Sequence, residues 1–178
     1  MKQLIKTLLL VIFFLAPTAV RSEGLKVGHI DMQRIVAESS AGKEAREQYD
    51  AKAKSYQDQL NLQLQSNIKL KEEIEAGLKL MKKGQKPSPS ILDKEKLFKT
   101  RESEIQNTLA GYQKELKAYD AELIRKVIEQ LSPIVEQFAL ANSYDYIIRN
   151  FDALLFANKK NDVTDTLISE FNNKKTKP

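Results

Sequence analysis

The sequence predicts an α+β chain: a long antiparallel helical hairpin, a coiled-coil arm, carried on a small β head. Three observations carry this. Residues 41–141 are about a hundred residues of charged sequence punctuated by Leu, Ile and Tyr. They are broken once, at Gly84-Gln85-Lys86-Pro87-Ser88-Pro89-Ser90, and two long helices joined by a Gly/Pro turn fold back on each other. Short β-type segments flank the hairpin on both sides, at 25–31 and 144–157. The open end therefore plants in a head built from 23–40 and 142–178. The closed end projects as an arm, residues 41–141, with its tip at 84–90.

The first residues stand outside the fold. Lys2 and Lys6 make a basic start, residues 8–16 are a short apolar run, and Val20 and Ser22 occupy the small-residue positions of a cleavage site. This is the pattern of a secretory signal peptide, residues 1–22, cut after Ser22 or, as the rival, after Ala19. The run is too short for a comfortable membrane span. The pattern predicts export of the mature chain.

Removing Lys2, Lys6 and Arg21 leaves 26 basic against 24 acidic residues, a net charge of +2. The distribution matters more than the total. Residues 76–100 hold seven lysines against Asp93 and Glu95, net +5, so the rest of the mature chain is about −3. Lys79, Lys82, Lys83 and Lys86 crowd the tip and are the candidate contact residues for a partner. The alternative is a solvated, lysine-rich turn. There is no cysteine, so no disulfide staples the exported chain. With the arm set aside, about fifty residues remain for the head, which is marginal for an independent core.

Taken in order, residues 25–31 read as a strand with Leu25 and Val27 apolar, and residues 32–37 as a helical turn carrying Met32, Ile35 and Val36. Ser39 or Ser40 is suited to cap the first arm helix, since a hydroxyl accepts a hydrogen bond from an orphan N–H. That helix shows a noisy seam of Tyr49, Tyr56, Leu60, Leu64, Leu70, Ile74 and Leu78, interrupted by Gln63 and Asn67. Polar seam positions weaken a coiled coil and let it bend. The second helix repeats Phe98, Ile105, Tyr112 and Tyr119 every seven residues, with Leu109, Leu116 and Leu123 as partner series, the a/d pattern of a left-handed supercoil. Pro133 falls near the root of the arm, as a hinge or as a helix boundary. Residues 144–149 read as a strand, 150–152 as a turn and 153–157 as a further strand. Thr164 is placed to cap a last helix carrying Leu167, Ile168 and Phe171.

Catalytic patterns are missing. There is no G-x-x-x-x-G-K loop, and one histidine without cysteine offers no His/Cys metal site. His29 reads as an ordinary head residue. The Glu/Lys pairs of the arm are a solvated helix face. The expectation is a non-enzyme without cofactor or metal.

Val27-Gly28-His29-Ile30-Asp31-Met32-Gln33-Arg34, Glu38-Ser39-Ser40-Ala41-Gly42-Lys43, Ser132-Pro133-Ile134, Tyr144-Asp145-Tyr146-Ile147-Ile148 and Asp162-Val163-Thr164-Asp165 resemble, in order, the Skp/OmpH family of periplasmic chaperones. The family often has Pro where this chain has Ser40. The resemblance implies a homotrimer in which strands of three subunits close one β-barrel body, with three arms around a cavity. It further implies an ATP-independent holdase for unfolded outer-membrane β-barrel proteins, and contact with lipopolysaccharide, for which no site motif can be matched here. The head residues that this assigns to the trimer are Val27, Ile147, Ile148 and Leu155. A small sheet with open edges independently calls for partner strands. Basic tips suit acidic clients or anionic lipid. The competing expectation is a periplasmic coiled-coil adaptor docking two partners. Nucleic acid is disfavoured by export and by the absence of Arg/aromatic interleaving at the tip.

Overall fold

The computed structural model describes residues 24–82, 84–149 and 155–175. The signal-peptide assignment, the turn at 150–152, Lys83 and the last three residues lie outside them. Strand β1 (Val27–His29) leads into helix α1 (Met32–Glu38). Helices α2 (Ser40–Lys79) and α3 (Pro89–Ala141) form the arm. Strand β2 (Tyr146–Ile148), a 3-10 turn (Lys159–Asn161) and helix α4 (Thr164–Lys175) complete the chain. No helix of the described residues is long and apolar enough to cross a membrane.

The head forms around β1. It pairs in parallel with β2, Val27 opposite Tyr146 and His29 opposite Ile148. On its other side His29 bridges to Asp162, and the Val163 N–H donates to the His29 carbonyl at 3.0 Å. The third contribution to the sheet among the described residues thus comes from 162–163, and residues 155–157 of the stretch read as a strand at 153–157 take no part in it. Ala153 and Leu154 lie outside the described residues. Leu155 sits in a bend, fully exposed, and Phe156 and Ala157 are not extended into a strand. An extended segment holds its shape through ladder hydrogen bonds, and it is 162–163, not 155–157, that reaches the second edge of β1.

Ser39 ends α1 and starts α2 in one residue. Its hydroxyl accepts from the Gly42 N–H at 3.0 Å, and its own N–H donates to the Ile35 carbonyl. This turn brings α1 onto α2 so closely that a Cβ on Gly42 would stand 1.7 Å from the Val36 carbonyl oxygen. The α1 triplet divides, with Ile35 fully buried in the core while Met32 and Val36 only flank it.

Thr164 does not cap α4 in the expected way. Thr164 is the first residue of the helix, and its N–H donates to Asp162 Oδ1 at 2.9 Å. The Thr164 hydroxyl donates to the same oxygen at 2.5 Å and accepts from the Asp31 N–H at 2.9 Å. Burial pushes the Asp162 carboxyl up, and the two Thr164 hydrogen bonds outweigh it and hold the group below its usual range. Asp31 in turn caps α1, accepting from the Arg34 N–H at 3.0 Å. The Arg34 guanidinium grips Glu38 at 2.9 Å and Asp165 at 2.6 Å. The start of α1 is therefore locked to the start of α4. Beneath this lock lies the core: Ile30, Ile35, Ala41, Val127, Leu131, Ile134, Phe138, Val163, Leu167 and Phe171. The root of the long helix α3 supplies four of these residues.

Pro133 lies within α3, which runs through it unbroken. It is exposed, and its neighbours Leu131 and Ile134 are both buried. The helix ends at Asn142, whose side-chain nitrogen donates to the Phe138 carbonyl at 2.8 Å, followed by Ser143 at φ 55°.

Candidate functional site: the arm, its tip and its root

At ~1.5 Å per residue, the 40 residues of α2 span ~60 Å. The turn at its far end is wider and earlier than the sequence suggests. Helix α2 stops at Lys79, five residues before Gly84, and α3 begins at Pro89 with the Ser88 hydroxyl as cap. Proline at the first helical turn is pre-set for the helix, because its missing N–H has no intrahelical acceptor there, so Pro89 and Ser90 open α3 instead of breaking it. Gly84 holds φ +88°, a conformation glycine adopts without strain.

Lys79, Lys82 and Lys86 are exposed around this turn. Between Lys79 and Lys82 stands Leu80, 87 % exposed, an apolar tip residue that charge reading alone passes over. Lys94 is not part of the free basic surface: its Nζ pairs with Glu73 at 2.8 Å, and that hydrogen bond holds the Glu73 carboxyl below its usual range. Lys96 and Lys99 stay exposed, so the basic surface runs from the turn onto the first turns of α3.

Below the tip the seam changes composition. Leu70 and Ile74 are buried and α2 approaches α3 closely at Gly77, where an added Cβ would lie 3.1 Å from Ile91. Nearer the root the seam is aromatic. Tyr56 and Tyr112 stack with centroids 4.0 Å apart. The Tyr112 hydroxyl donates to Gln59 at 2.8 Å, and the Tyr56 hydroxyl donates to Glu115. That bond to a carboxylate pushes the Tyr56 phenol up. Lys52 lies over the Tyr119 ring at 4.5 Å.

Three seam expectations change. Leu109 is 42 % exposed, and Thr108 is half-buried in its place. The inward face of α3 runs 98, 101, 105, 108, 112, so its step after Ile105 is three residues and not four. Leu64 and Leu78 likewise lie exposed beside the seam. Of the two polar seam residues, Asn67 is buried in the seam as expected, whereas Gln63 turns out to solvent.

At the root an apolar groove of about 760 Å³ opens between α1, α2 and α3. Met32, Val36, Ala45, Tyr49, Leu123 and Ile124 form its walls, and Arg46 and Asp120 are among its polar lining. Sequence reasoning did not foresee this groove. Its signal was the surplus of apolar residues on α1, more than one core contact can use. On the head, Val27, Ile147 and Ile148 are half-buried strand residues, whereas Tyr146, Leu155 and Phe156 are exposed. Val27 and Ile147 belong to the paired sheet; Leu155 stands apart from it. The lysines gather at the tip, some ~60 Å from the head residues by helix rise. The candidate residues therefore form two separate surfaces.

A basic-tipped helical hairpin rooted by both ends in a small mixed head defines an arm-and-head protein. The chain belongs to the OmpH-like outer membrane protein family, whose model, described as Outer membrane protein (OmpH-like), matches residues 26–171. Among solved structures it is similar to an OmpH-like chain from Caulobacter crescentus CB15, for which an outer membrane chaperone role has been put forward. The two share 15 % identity over 84 % of this chain and 85 % of that one, with a TM-score of 0.72. At that identity the likeness establishes the fold. No curated protein matches the chain.

Proposed function

We propose that this chain is a periplasmic, ATP-independent holdase that captures unfolded outer-membrane β-barrel proteins between its arms and keeps them from aggregating. The observation that carries this is the arm: a ~60 Å hairpin whose seam consumes only part of its apolar residues, leaving Leu62, Leu64, Ile68, Leu97 and Leu109 exposed along its length. Membership of the OmpH-like family and the role put forward for the Caulobacter chain support the reading. The decisive experiment is suppression of aggregation. The protein is expected to keep several different unfolded β-barrel proteins soluble at stoichiometric dose without nucleotide. Protection of none, with recovery of one folded partner, would establish the coiled-coil adaptor instead.

The working unit in this reading is a homotrimer whose strands close a common barrel body. The outer edge of β2 and the exposed Tyr146, Leu155 and Phe156 support it, because open edges and apolar surface are stabilised by a partner's strands. An Ile148→Asp change is expected to dissociate the assembly by placing a charge in the sheet. Sedimentation reads this directly, and a wild-type monomer at micromolar concentration, or a variant that stays trimeric, would refute the barrel body.

The tip makes first contact with acidic clients or with anionic lipid, lipopolysaccharide included. Exposed charges act over ~8 Å at physiological salt, so their effect falls on capture rate. Changing Lys79, Lys82, Lys83 and Lys86 together to Gln is expected to slow capture of an unfolded β-barrel protein about tenfold at low salt and to flatten its salt dependence. Thermal stability should be unchanged. Equal stopped-flow rates for the two proteins at low salt would reduce the tip to a solvated turn.

A further inference from the structure

The two flanks of the arm are unlike. On a helix paired through a seam, residues one or four positions after a seam residue lie on one flank, and residues one position before it lie on the other. Six exposed apolar residues share the first flank: Leu64, Ile68 and Leu78 on α2, and Leu92, Leu109 and Ile124 on α3. They follow the seam residues Leu60, Asn67, Ile74, Ile91, Thr108 and Leu123 by one or four positions. The second flank is marked by the cleft that Leu62 lines with Ser66 and Glu104, the residues just before Asn67 and Ile105. Between the root and the turn it exposes two large apolar residues among those described, Leu62 and Leu97. The first flank leads into the root groove, because the groove residues Asp120, Ile124 and Ile128 each follow a seam residue by one position. Ile124 and Leu92 lie ~48 Å apart by helix rise.

We propose that the first flank is the face that holds the client, laid as an extended chain from the turn to the root, and that the root groove takes an apolar side chain at the end of that path. The inference rests on the holdase reading and adds which side of the arm makes contact. A path this narrow and long is matched by ~15 residues of extended chain at ~3.3 Å each, with alternate side chains on one side. Strands of membrane β-barrels carry an apolar side chain at every second position, which is the spacing such a chain brings to the arm. The rim of the groove is charge-balanced: Lys43 and Arg46 stand against Glu47 and Asp120. It therefore offers both donors and acceptors, which suits peptide N–H and C=O groups. An ionic headgroup finds no net opposite charge there, and a small amphiphile would leave the path above the groove uncovered. Backbone and alternation are common to many sequences, as a holdase for several proteins requires.

Two measurements test this on the full mature protein, each with an unfolded β-barrel protein as the probe. In the first, affinity is compared for two paired variants, Leu64→Gln with Leu109→Gln on the first flank and Leu62→Gln with Leu97→Gln on the second. Exposure alone ranks the second pair higher, at 68 and 42 % against 40 and 42 %. The proposal predicts the reverse, with binding about tenfold weaker for the first pair and about twofold weaker for the second. Equal losses, or the larger loss in the second pair, overturn it. In the second, the absence of cysteine makes an introduced thiol unique. Client is expected to slow maleimide labelling of Ile124→Cys, at the groove, several-fold, and to leave that of Ala118→Cys, on the second flank, as it was. Equal protection of both positions overturns the proposal. So does a thiol at 124 that is protected without client, because a second copy then covers the groove. A wild type that binds no client refutes the holdase reading and this face with it. A wild type that binds, with the two pairs equally impaired, leaves the holdase standing and refutes the face alone.

Discussion

Replacing Gly42 with alanine is expected to unpack the head. The new Cβ would stand 1.7 Å from the Val36 carbonyl oxygen and 2.6 Å from its carbon. These are backbone atoms, so no rotamer change relieves the clash. Either α1 swings away from α2 or the turn at Ser39 opens. In the first case Ile35 leaves the core; in the second, the cap from the Ser39 hydroxyl to the Gly42 N–H is lost. A loss of about 3 kcal/mol or more is expected. This corresponds to a fall in Tm of roughly 10 °C for a chain of this size. Gly111 supplies the contrast. It lies in the interior of α3, and a Cβ there meets nothing within 4 Å. Gly111→Ala should stabilise the arm by up to ~1 kcal/mol, the usual helix preference for alanine. Opposite signs for the two substitutions in thermal unfolding support the close approach of α1. A neutral Gly42→Ala would mean that α1 does not pack on α2 as described.

Truncating Leu167 to alanine is expected to detach α4. Leu167 is fully buried among residues drawn from α1, α3 and the segment after β1. Removing a buried leucine side chain costs 2–5 kcal/mol through lost transfer free energy and residual cavity. The head has little core to spare, so the loss should spread. The Thr164 contacts to Asp31 and Asp162, and the Arg34–Asp165 pair, depend on α4 being docked. Urea unfolding followed by head amide exchange is the appropriate reading, because the arm dominates the far-ultraviolet signal. Protection should fall in α1, β1 and α4 together, while that of residues 50–120 is kept. A cost under 1 kcal/mol, or a loss confined to α4, would show that this helix is an accessory and not part of the core.

Much of the architecture follows from local pattern. The hairpin, its two long helices and the break between them were legible because helix periodicity over forty or more residues is a strong signal. A serine cap at Ser39 or Ser40 was legible because its chemistry is local, and the structure selects Ser39. Residues 155–157 were read as part of a third strand because 153–157 is apolar, whereas pairing is decided by which segment reaches β1, and that is 162–163. Leu109 was misassigned because steps of three and four residues both satisfy a heptad, and only the partner helix selects one. The root groove was not legible, since it depends on how α1 lies against the arm.

By itself the sequence determined the arm's length, the basic tip, a serine-capped junction at Ser39 or Ser40 and the resemblance that the family match bears out. Each depends on residue identities a few positions apart. Only the tertiary structure decided that Asp162–Val163 completes the sheet and that Thr164 links α4 to Asp31. It alone decided that Asn67 is buried without a partner for its oxygen among the described residues, and that Gly42 is indispensable to the packing of α1. These are contacts between segments separated by loops or by the whole arm, and their energies depend on distances that no local pattern of residues encodes.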